Sequence, residues 1–590
     1  MKNKAIIAAI IAIMIGVLIF VVIRYNTSMK SEDAAPELSS QAESTEPMAD
    51  IETGISSPES IPDYDDTDDI VTREVQSVST VILNEAIKIN DGNIGEFYSK
   101  ESYEDVIPVD IRTFSKSEIP AKYDSRDVNG KRYITEIEDQ GYTSLCWSYS
   151  AIASVEADIL SHHSDIDYSD LNLSEKHLAY YNLHKAEGSV NGYIDNDYRK
   201  IENAENEDDD WIFDYDTNYV SVGGVSNFVI SLLTAWKGPV TETGEDAFKS
   251  LYGQKYIYED NYDEPSDAFN SEYHVQAVSE ILASEENRDM VKQMIMEHGA
   301  VTASVNADNQ YWRNHNRTLY SAFGGEPVPT ANHEVVIVGW DDDYSGSNFV
   351  TSPKKDGAWL CRNSWGNFSG EGGYFYLSYY DETTCNNNVA GYSVVLKGEK
   401  DWYDNNYQLC GFLDNVVSAL DDSQNYVTAY TESQNPYAVL YEASSDESLM
   451  AVGLMGIDTY QQYDIEIYVN PEMTDDQFIG FNKLMEPENT TKVSAISGGY
   501  HTYELSKPVK LNKGDNFLVL VNPASSGILI YENTADNVGD ANYDEWNNLT
   551  GNIRNNYEAS RRSYYIADDG TGLLRQDDKD FFVKAYTNNN

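Results

Sequence analysis

The stretch Gln140-Gly-Tyr-Thr-Ser-Leu-Cys146-Trp147 constrains the fold of this chain more than any other part of it. A thiol that attacks a carbonyl needs a base, a group that orients the base, and donors for the oxyanion that forms. Side chains suited to these tasks occur far along the chain, in Asn332-His333-Glu334 and in Arg362-Asn363-Ser364-Trp365-Gly366. The sequence therefore predicts a fold that brings three distant segments into one cleft.

The residues that follow Cys146 predict a helix that begins at or near the thiol. Apolar residues at positions 152, 155, 159 and 160 recur at helical spacing. Thr143 and Ser144 are suited to cap its N-terminus. We expect the helix terminus and a nearby imidazolium to lower the pKa of the Cys146 thiol.

The side chains of Cys146, His333, Asn363 and Gln140 each have a distinct expected role. Cys146 is the expected nucleophile, and His333 would take its proton and later give it to the leaving amine. Asn363 would orient the imidazole, and Trp365 would shield that hydrogen bond from water. Gln140 and the main-chain N–H of Cys146 would form the oxyanion hole.

These segments resemble the papain-like (C1) cysteine peptidases over about residues 119–398. Ile119–Arg126 looks like the mature start of that family, and Leu173-Ser174-Glu175 and Gly223-Gly224 follow in family order. The resemblance implies the four catalytic roles just given and a two-lobed peptidase domain. It also implies a substrate-binding set made of Gly223, Gly224, Val225, Ser226, Asn332 and Trp365.

Within that set, the main chain of Gly224 would hydrogen-bond an extended substrate. Val225, Ser226 and Asn332 would border the pocket for the second residue before the cut. The sequence departs from the family pattern at Leu145, where a small residue is usual, and at Thr143, where many members have a disulfide cysteine. The helical inhibitory pro-segment motif is not evident, so self-inhibition of the usual kind is in doubt.

The strand pattern predicts an α+β fold with two parts. Residues 335–338, 358–361 and 374–380 are strand candidates that follow the helix-rich start of the catalytic region. Beyond residue 399 only short strand candidates remain, separated by turn residues, and a β-sandwich over 399–590 is expected. By its position and strand style this part resembles the lectin-like domain found in a bacterial and archaeal branch of the family, which implies a carbohydrate ligand.

The N-terminal segment has the length and polarity of a membrane anchor. Residues 5–23 are continuously apolar and flanked by basic residues. We expect residues 1–24 to anchor the chain with its remainder outside the cell. A cleaved, secreted form is the alternative. Residues 25–118 begin as an acidic, disordered stalk. Their later part, 73–118, is either a removable pro-segment or a packed extension.

Charge and cysteine content exclude several classes of function. The formal net charge of −59 predicts a surface that repels nucleic acid. Four cysteines, Cys146, Cys361, Cys385 and Cys410, are too few for a disulfide scaffold, although Cys385 and Cys410 could pair. No zinc spacing occurs, and the calcium-like start at Asp341 has Ser352 where the motif needs Glu. No metal and no cofactor are expected.

The leading hypothesis is a membrane-anchored extracellular cysteine endopeptidase that hydrolyses polypeptides through a thioester acyl-enzyme. One alternative is a non-catalytic adhesion or carbohydrate-binding protein built on a peptidase scaffold. Another is an exopeptidase or transpeptidase. The intact set Cys146, His333, Asn363 and Gln140 argues against the non-catalytic alternative. The sequence does not indicate the physiological substrate or the oligomeric state.

Overall fold

The structure is a computed structural model of the chain. It describes residues 103, 105–115, 117–186, 189–190, 193–194, 198–203, 219–221, 223–224, 226–249, 263–324, 331–409, 430–433, 435–456, 459–474, 477–524, 528–534, 541–542, 551–556 and 559–590. The predicted anchor at 5–23, the predicted stalk, Val225 and Cys410 lie outside these residues. Within the described ranges, every helix is too short or too polar to cross a bilayer.

The described helices all belong to the first part of the chain, as the sequence predicted. They are α1 Cys146–His162, α2 Glu175–Leu183, α3 Ser226–Thr234 and α4 Arg288–His298. Helix α1 begins at the predicted residue, but its N-cap is Leu145 and it has no side-chain cap hydrogen bond. The expected capping by Thr143 or Ser144 is therefore wrong, since the Thr143 hydroxyl donates to the main-chain oxygen of Gln140 instead.

The strands before residue 400 surround the helices and include all three predicted ones. They are β1 Lys122–Asp124, β2 Ser189–Val190, β3 Tyr193–Ile194, β4 Tyr198–Asn203, β5 Tyr273–Leu282, β6 Val301–Val305, β7 Trp312–Arg313, β8 Thr318–Leu319, β9 His333–Asp341, β10 Ala358–Arg362, β11 Tyr374–Ser378 and β12 Asn388–Leu396. Among them, β5, β12, β6, β9, β10, β11, β8 and β7 lie side by side in this order, and β1 pairs with β9. The helix α1 packs against β9 and β12 of this sheet.

The described residues after 400 form β structure, as expected. Their strands are β13 Asn405–Gln408, β14 Tyr430–Ser433, β15 Tyr437–Glu442, β16 Glu447–Gly456, β17 Gln461–Val469, β18 Phe478–Gly480, β19 Asn489–Ala495, β20 Gly498–Leu511, β21 Asn516–Pro523, β22 Ile528–Thr534, β23 Ala541–Asn542, β24 Gly551–Asn556, β25 Ser563–Ile566, β26 Gly572–Arg575, β27 Lys579–Phe581 and β28 Val583–Asn589. Seven of them form one sheet, in the order β18-β26-β25-β15-β21-β17-β19. One apolar core, which includes Val452, Ile465, Val519 and Ala585, joins that sheet to β13, β28, β16 and β20.

The two parts of the chain share a sheet, which the sequence did not predict. Strand β20 pairs antiparallel with β5, so that Gly498 lies opposite Glu280 and His501 lies opposite Ala277. The sheet of the first part thus continues through β20 into β16, β28 and β13, and it holds 13 strands. Continuous main-chain hydrogen bonding across the boundary fixes the two parts relative to each other.

Residues 105–115 run across this boundary, and we call them the N-terminal strap. The main-chain N–H of Val109 donates to Ser494 O at 2.8 Å. The carboxylate of Asp110, which is buried, accepts from the N–H groups of Ile496 and Ser497 and from the Ser497 hydroxyl. Phe114 is buried in the core beneath β5 and β9. The N-terminal strap is therefore a packed part of the structure.

Candidate active site

Cys146 occupies the first position of α1 and is almost fully buried. Burial raises the pKa of its thiol to about 12, and the main-chain N–H groups of Glu334, Trp147 and Cys146 oppose this shift. Burial thus favours the protonated thiol, so the lowering of the Cys146 pKa expected from the sequence is wrong. The thiol can attack a carbonyl only if a neighbouring base takes that proton during the step.

The imidazole of His333 is held by contacts with Asn363 and Trp365. His333 is the first residue of β9, and the next residue, Glu334, hydrogen-bonds the thiol through its main chain. Its Nε2 is 2.8 Å from Oδ1 of Asn363. The ring also stacks on Trp365, with centroids 4.7 Å apart and planes inclined by 28°. Because Nε2 is hydrogen-bonded to Asn363, Nδ1 is the imidazole nitrogen that can accept the proton of Cys146.

Asn363 is oriented by its own loop. Its Oδ1 also accepts from the main-chain N–H of Ser364 at 2.8 Å, and its N–H donates to Gly373 O at 2.9 Å. Oδ1 is therefore the atom that faces the ring, and the Nε2 that it bonds carries the proton. This tautomer leaves Nδ1 as a base.

Gln140 lies on a segment that pairs directly with the Asn363 loop. Its main-chain N–H donates to Ser364 O at 2.8 Å, and a bridge joins the neighbouring residues Asp139 and Trp365. The side-chain Nε2 donates to Thr143 O at 2.8 Å, while Oε1 accepts from the Ser364 hydroxyl at 2.6 Å. These two bonds fix the amide with its nitrogen towards the turn that leads to Cys146. The second N–H of Nε2 can donate to a substrate oxygen.

Of the predicted substrate-binding residues, the structure describes all except Val225. Gly223 and Gly224 are buried, and a Cβ on Gly224 would lie 2.4 Å from Cδ2 of Trp147. Only glycine therefore allows this main chain to approach the indole of Trp147 so closely. Ser226 is exposed at the start of α3.

Asn332 is half-buried, and its side chain is bonded to the loop that follows β6. Oδ1 accepts from the N–H of Ala307 at 2.7 Å, and Nδ2 donates to Asp308 Oδ1 at 2.9 Å. The main chain of Asn332 is also tied to β6, because its N–H donates to Val305 O at 3.1 Å. These bonds position the residue that directly precedes His333.

One group of carboxylates among the described residues has a spacing that could hold a metal ion. Oxygens of Glu138, Glu175 and Glu242 all lie within 4.8 Å of one another. Burial, followed by the neighbouring negative charges, raises the pKa of Glu175 well above its usual range and that of Glu242 to about 8. Protons held between these carboxyl groups can therefore offset their mutual repulsion without a metal ion. The loop that starts at Asp341 is held by side-chain contacts, including Lys122 to Asp341 and Lys292 to Asp342.

Two residues near the thiol were not singled out in the sequence. Ser364 lies inside the Asn-Ser-Trp-Gly stretch, but only the structure shows its hydroxyl bonded to Gln140. Glu334 lies next to His333, and only the register of β9 shows its carboxyl on the same side as the thiol's helix. The remaining described thiols, Cys361 and Cys385, are free. Cys410 lies outside the described residues, so its pairing with Cys385 stays an open alternative of the sequence analysis.

Two family models match the chain. The model described as "Papain family cysteine protease" matches residues 119–395, and the one described as "Lectin like domain" matches residues 422–587. Curated relatives include a cysteine protease of Blomia tropicalis, 23% identical over 47% of this chain, and ananain of Ananas comosus, 24% identical over 44% of it. The chain spans 66% and 56% of the length of these two relatives.

Two solved structures share the fold across both parts of the chain. One is a variant of the clostridial cysteine protease Cwp84 after propeptide cleavage, with a TM-score of 0.55 and 23% identity, covering 78% of this chain and 97% of that one. The other holds the cysteine protease and lectin-like domains of Cwp84, a surface layer associated protein of Clostridium difficile. It has a TM-score of 0.56 and 22% identity, covering 80% of this chain and 90% of that one. At 22–23% identity, these two matches show a common fold and nothing further.

Proposed function

Residues 119–395 belong to the papain family of cysteine proteases and residues 422–587 form a lectin-like domain, and from this premise we propose that the chain is an extracellular endopeptidase. The chain would hydrolyse polypeptides at Cys146. The observation that supports this proposal is a set of contacts that links the segments of Cys146, His333, Asn363 and Gln140. Glu334 N–H contacts the thiol, His333 bonds Asn363, and Ser364 joins that loop to Gln140.

In the proposed reaction, the sulfur of Cys146 attacks the substrate carbonyl carbon while its proton passes to Nδ1 of His333. The carbonyl oxygen becomes an oxyanion, which Nε2 of Gln140 and the main-chain N–H of Cys146 stabilise. His333 then gives the proton to the leaving amine, and a thioester remains. A water molecule, deprotonated by His333, attacks the thioester, which releases the acid and restores the thiol.

Asn363 and Trp365 have supporting roles in this proposal. The bond from His333 Nε2 to Asn363 keeps Nδ1 directed to the sulfur as the ring gains and loses its proton. Trp365 covers one face of the imidazole and keeps water from that bond, which strengthens it. Gly223, Gly224, Val225, Ser226 and Asn332 are proposed to bind the substrate on the acyl side, with the last three at the pocket for the second residue before the cut.

We propose the same domain limits and location as the sequence suggests. Residues 1–24 would anchor the chain, 25–118 would form the stalk and extension, and 119–398 and 399–590 would be the peptidase and β-sandwich domains. An extracellular location agrees with the surface-layer association stated for Cwp84. Fractionation of cells that express the chain would test the anchor, since recovery in the medium alone would contradict it. The N-terminal strap would stay with the mature protein, because it is packed at the boundary of the two parts.

The lectin-like domain is proposed to bind carbohydrate. Because its strand β20 continues the sheet of the peptidase, the intact chain is the proper test material. Binding of the Cys146→Ala chain to a glycan array would support this role. A chain that is folded but binds no glycan on the array would contradict it.

The main test of the proposed function is selective loss of the thiol. Cys146→Ala should abolish peptide hydrolysis and labelling by an epoxide inhibitor, while circular dichroism shows an intact fold. Cys385→Ala is the matched control, because it removes another free thiol and should leave both activities in place. Hydrolysis that persists in Cys146→Ala would show that the nucleophile is misassigned. A folded parent chain that is neither labelled nor active would leave the non-catalytic alternative.

A further inference from the structure

Three carboxyl groups from separate segments of the peptidase part lie close together. Glu138 belongs to the segment that leads to Gln140, Glu175 is the first residue of α2, and Glu242 lies on the loop that follows α3. An oxygen of each lies within 4.8 Å of the oxygens of the others. Oxygens bound to one ion are at most twice the metal–oxygen distance apart, which is about 5 Å for calcium. The three groups therefore have the spacing of a set of calcium ligands.

These carboxyl groups lack a counter-charge among the described residues. Glu175 is only 3% exposed, and its side-chain hydrogen bonds join it to Glu138 and Glu242. No ion pair joins any of the three to a basic residue of the described ranges. The guanidinium of Arg362 lowers the pKa of the neighbouring Glu156, whereas Glu156 raises that of Glu175. A partly buried group of like charges is costly unless a cation offsets it.

The phenol of Tyr149 lies beside this group and makes no hydrogen bond to any described residue. Tyr149 is 7% exposed and stands one turn after Cys146 on α1. The hydroxyl of its neighbour Ser148 donates to Glu175 O at 2.9 Å, so this turn of α1 lies against the start of α2. Burial, followed by the charge of Glu175, raises the pKa of Tyr149 well above its usual range. A buried hydroxyl without a partner is costly, and a metal-bound water molecule at this place would satisfy it.

The group is accessible to ions from one side. Glu138 and Glu242 are half-buried, whereas Glu175 is buried. An ion can therefore enter past the two outer carboxyl groups and keep water molecules on that side. Carboxylate oxygens are the ligands that hard cations such as calcium prefer. The formal net charge of −59 also attracts cations to the surface of this protein.

We propose that Glu138, Glu175 and Glu242 bind a calcium ion, with water molecules completing its coordination. The ion replaces the missing counter-charge and joins three segments of the chain. One of them carries the proposed oxyanion donor Gln140, and Glu138 O in that segment accepts from the N–H of Gly366 at 3.0 Å. The ion therefore stabilises the surroundings of the cleft and takes no part in peptide hydrolysis. Its binding does not depend on the proposed peptidase function.

Protons compete with the ion for this site. Burial, followed by the charge of Glu138, raises the pKa of Glu242 to about 8 and that of Glu175 well above its usual range. In the metal-free chain these groups therefore hold protons at neutral pH, and calcium must displace them. Carboxylates on the open surface are already ionised at that pH, so calcium that binds there releases no protons. Proton release thus distinguishes the proposed site from surface binding.

The first experiment titrates calcium chloride into the full Cys146→Ala chain, which has been freed of metal with EDTA. Calorimetry in buffers of different ionisation enthalpy counts the protons released. We expect one proton-linked site with a Kd of about 10⁻⁴ to 10⁻³ M at neutral pH. Binding should release at least about one proton and should be at least about tenfold tighter at pH 8.5 than at pH 6.5. Binding without proton release would show an adventitious ion only and would overturn the inference.

The second experiment locates the ion with two variants of the same chain. Glu242→Gln removes a proposed ligand, and Glu245→Gln is the matched control because Glu245 is exposed on the same loop. At pH 8, about 5 mM calcium should raise the melting temperature of the Cys146→Ala chain and of the control by at least about 3 °C over EDTA. Glu242→Gln should lose most of that rise, although in EDTA it should melt above the control because one repelling carboxyl group is gone.

Equal responses of Glu242→Gln and Glu245→Gln to calcium would place the ion elsewhere and refute the assignment. Glu175→Gln should also lose the proton-linked binding. If the buried Glu175→Gln does not fold, the half-buried Glu242→Gln and the proton count of the unaltered site decide the matter.

Discussion

Removal of the Ser364 hydroxyl tests whether the segment that carries Gln140 and the loop that carries Asn363 act together. The hydroxyl donates to Oε1 of Gln140 at 2.6 Å, and both residues are buried. In Ser364→Ala, the amide keeps only the bond from Nε2 to Thr143 O and can rotate about it. Its second N–H would then be directed less well at the oxyanion.

The expected effect follows from the strength of one hydrogen bond. A neutral hydrogen bond contributes about 1 kcal/mol, and about 1.4 kcal/mol corresponds to a tenfold change in rate. Loss of a whole oxyanion donor costs about 10²–10³-fold in kcat. Ser364→Ala should therefore lower kcat about 5–10-fold with little change in KM, and Gln140→Ala should lower it much further.

The assay compares two reactions of the same thiol. Peptide hydrolysis passes through an oxyanion, whereas alkylation by iodoacetamide does not, so only hydrolysis should be slower in Ser364→Ala. Ser369→Ala, in the same loop, is the matched control and should behave like the parent. Equal loss of hydrolysis and alkylation would refute the reasoning, because it would mean that the thiol itself is perturbed. Unaltered hydrolysis would refute it too.

Two further predictions concern stability. Asp110→Ala should lower the free energy of unfolding by about 3 kcal/mol in a denaturant titration, because three hydrogen bonds to a buried carboxylate are lost. The exposed residue Asp105 provides the control variant Asp105→Ala. An effect of Asp110→Ala no larger than that of the control would contradict the packing of the N-terminal strap. Glu242→Gln should raise the melting temperature by a few degrees at pH 8 and by less at pH 5, on a scale of about 2–4 °C per kcal/mol. The sign follows because the raised pKa values of Glu242 and Glu175 make the folded state bind more protons, so its stability falls as pH rises from about 4.5 towards 8. An equal gain at both pH values, or the same gain in the exposed Glu245→Gln, would contradict this explanation.

Local patterns in the sequence predicted the elements that carry the site. The helical spacing after Cys146 predicted α1, and the β-branched run at 335–338 predicted β9. These predictions succeed because hydrophobic periodicity and strand propensity act over a few residues. The cap of α1 was mispredicted, because the Thr143 hydroxyl donates to Gln140 O, three residues earlier, and the N-cap position falls on Leu145, which has no side-chain cap.

The sequence by itself determined which side chains could perform acyl transfer, since a thiol, an imidazole and two amides are rare in this order. It also determined the change from helix-rich to strand-rich structure along the chain. Only the tertiary structure decided that Ser364 fastens Gln140, that the carboxyl groups of Glu138, Glu175 and Glu242 lie together, and that β20 joins β5. The physical reason is that these contacts depend on strand register and pairing between segments far apart in sequence, which no local pattern encodes.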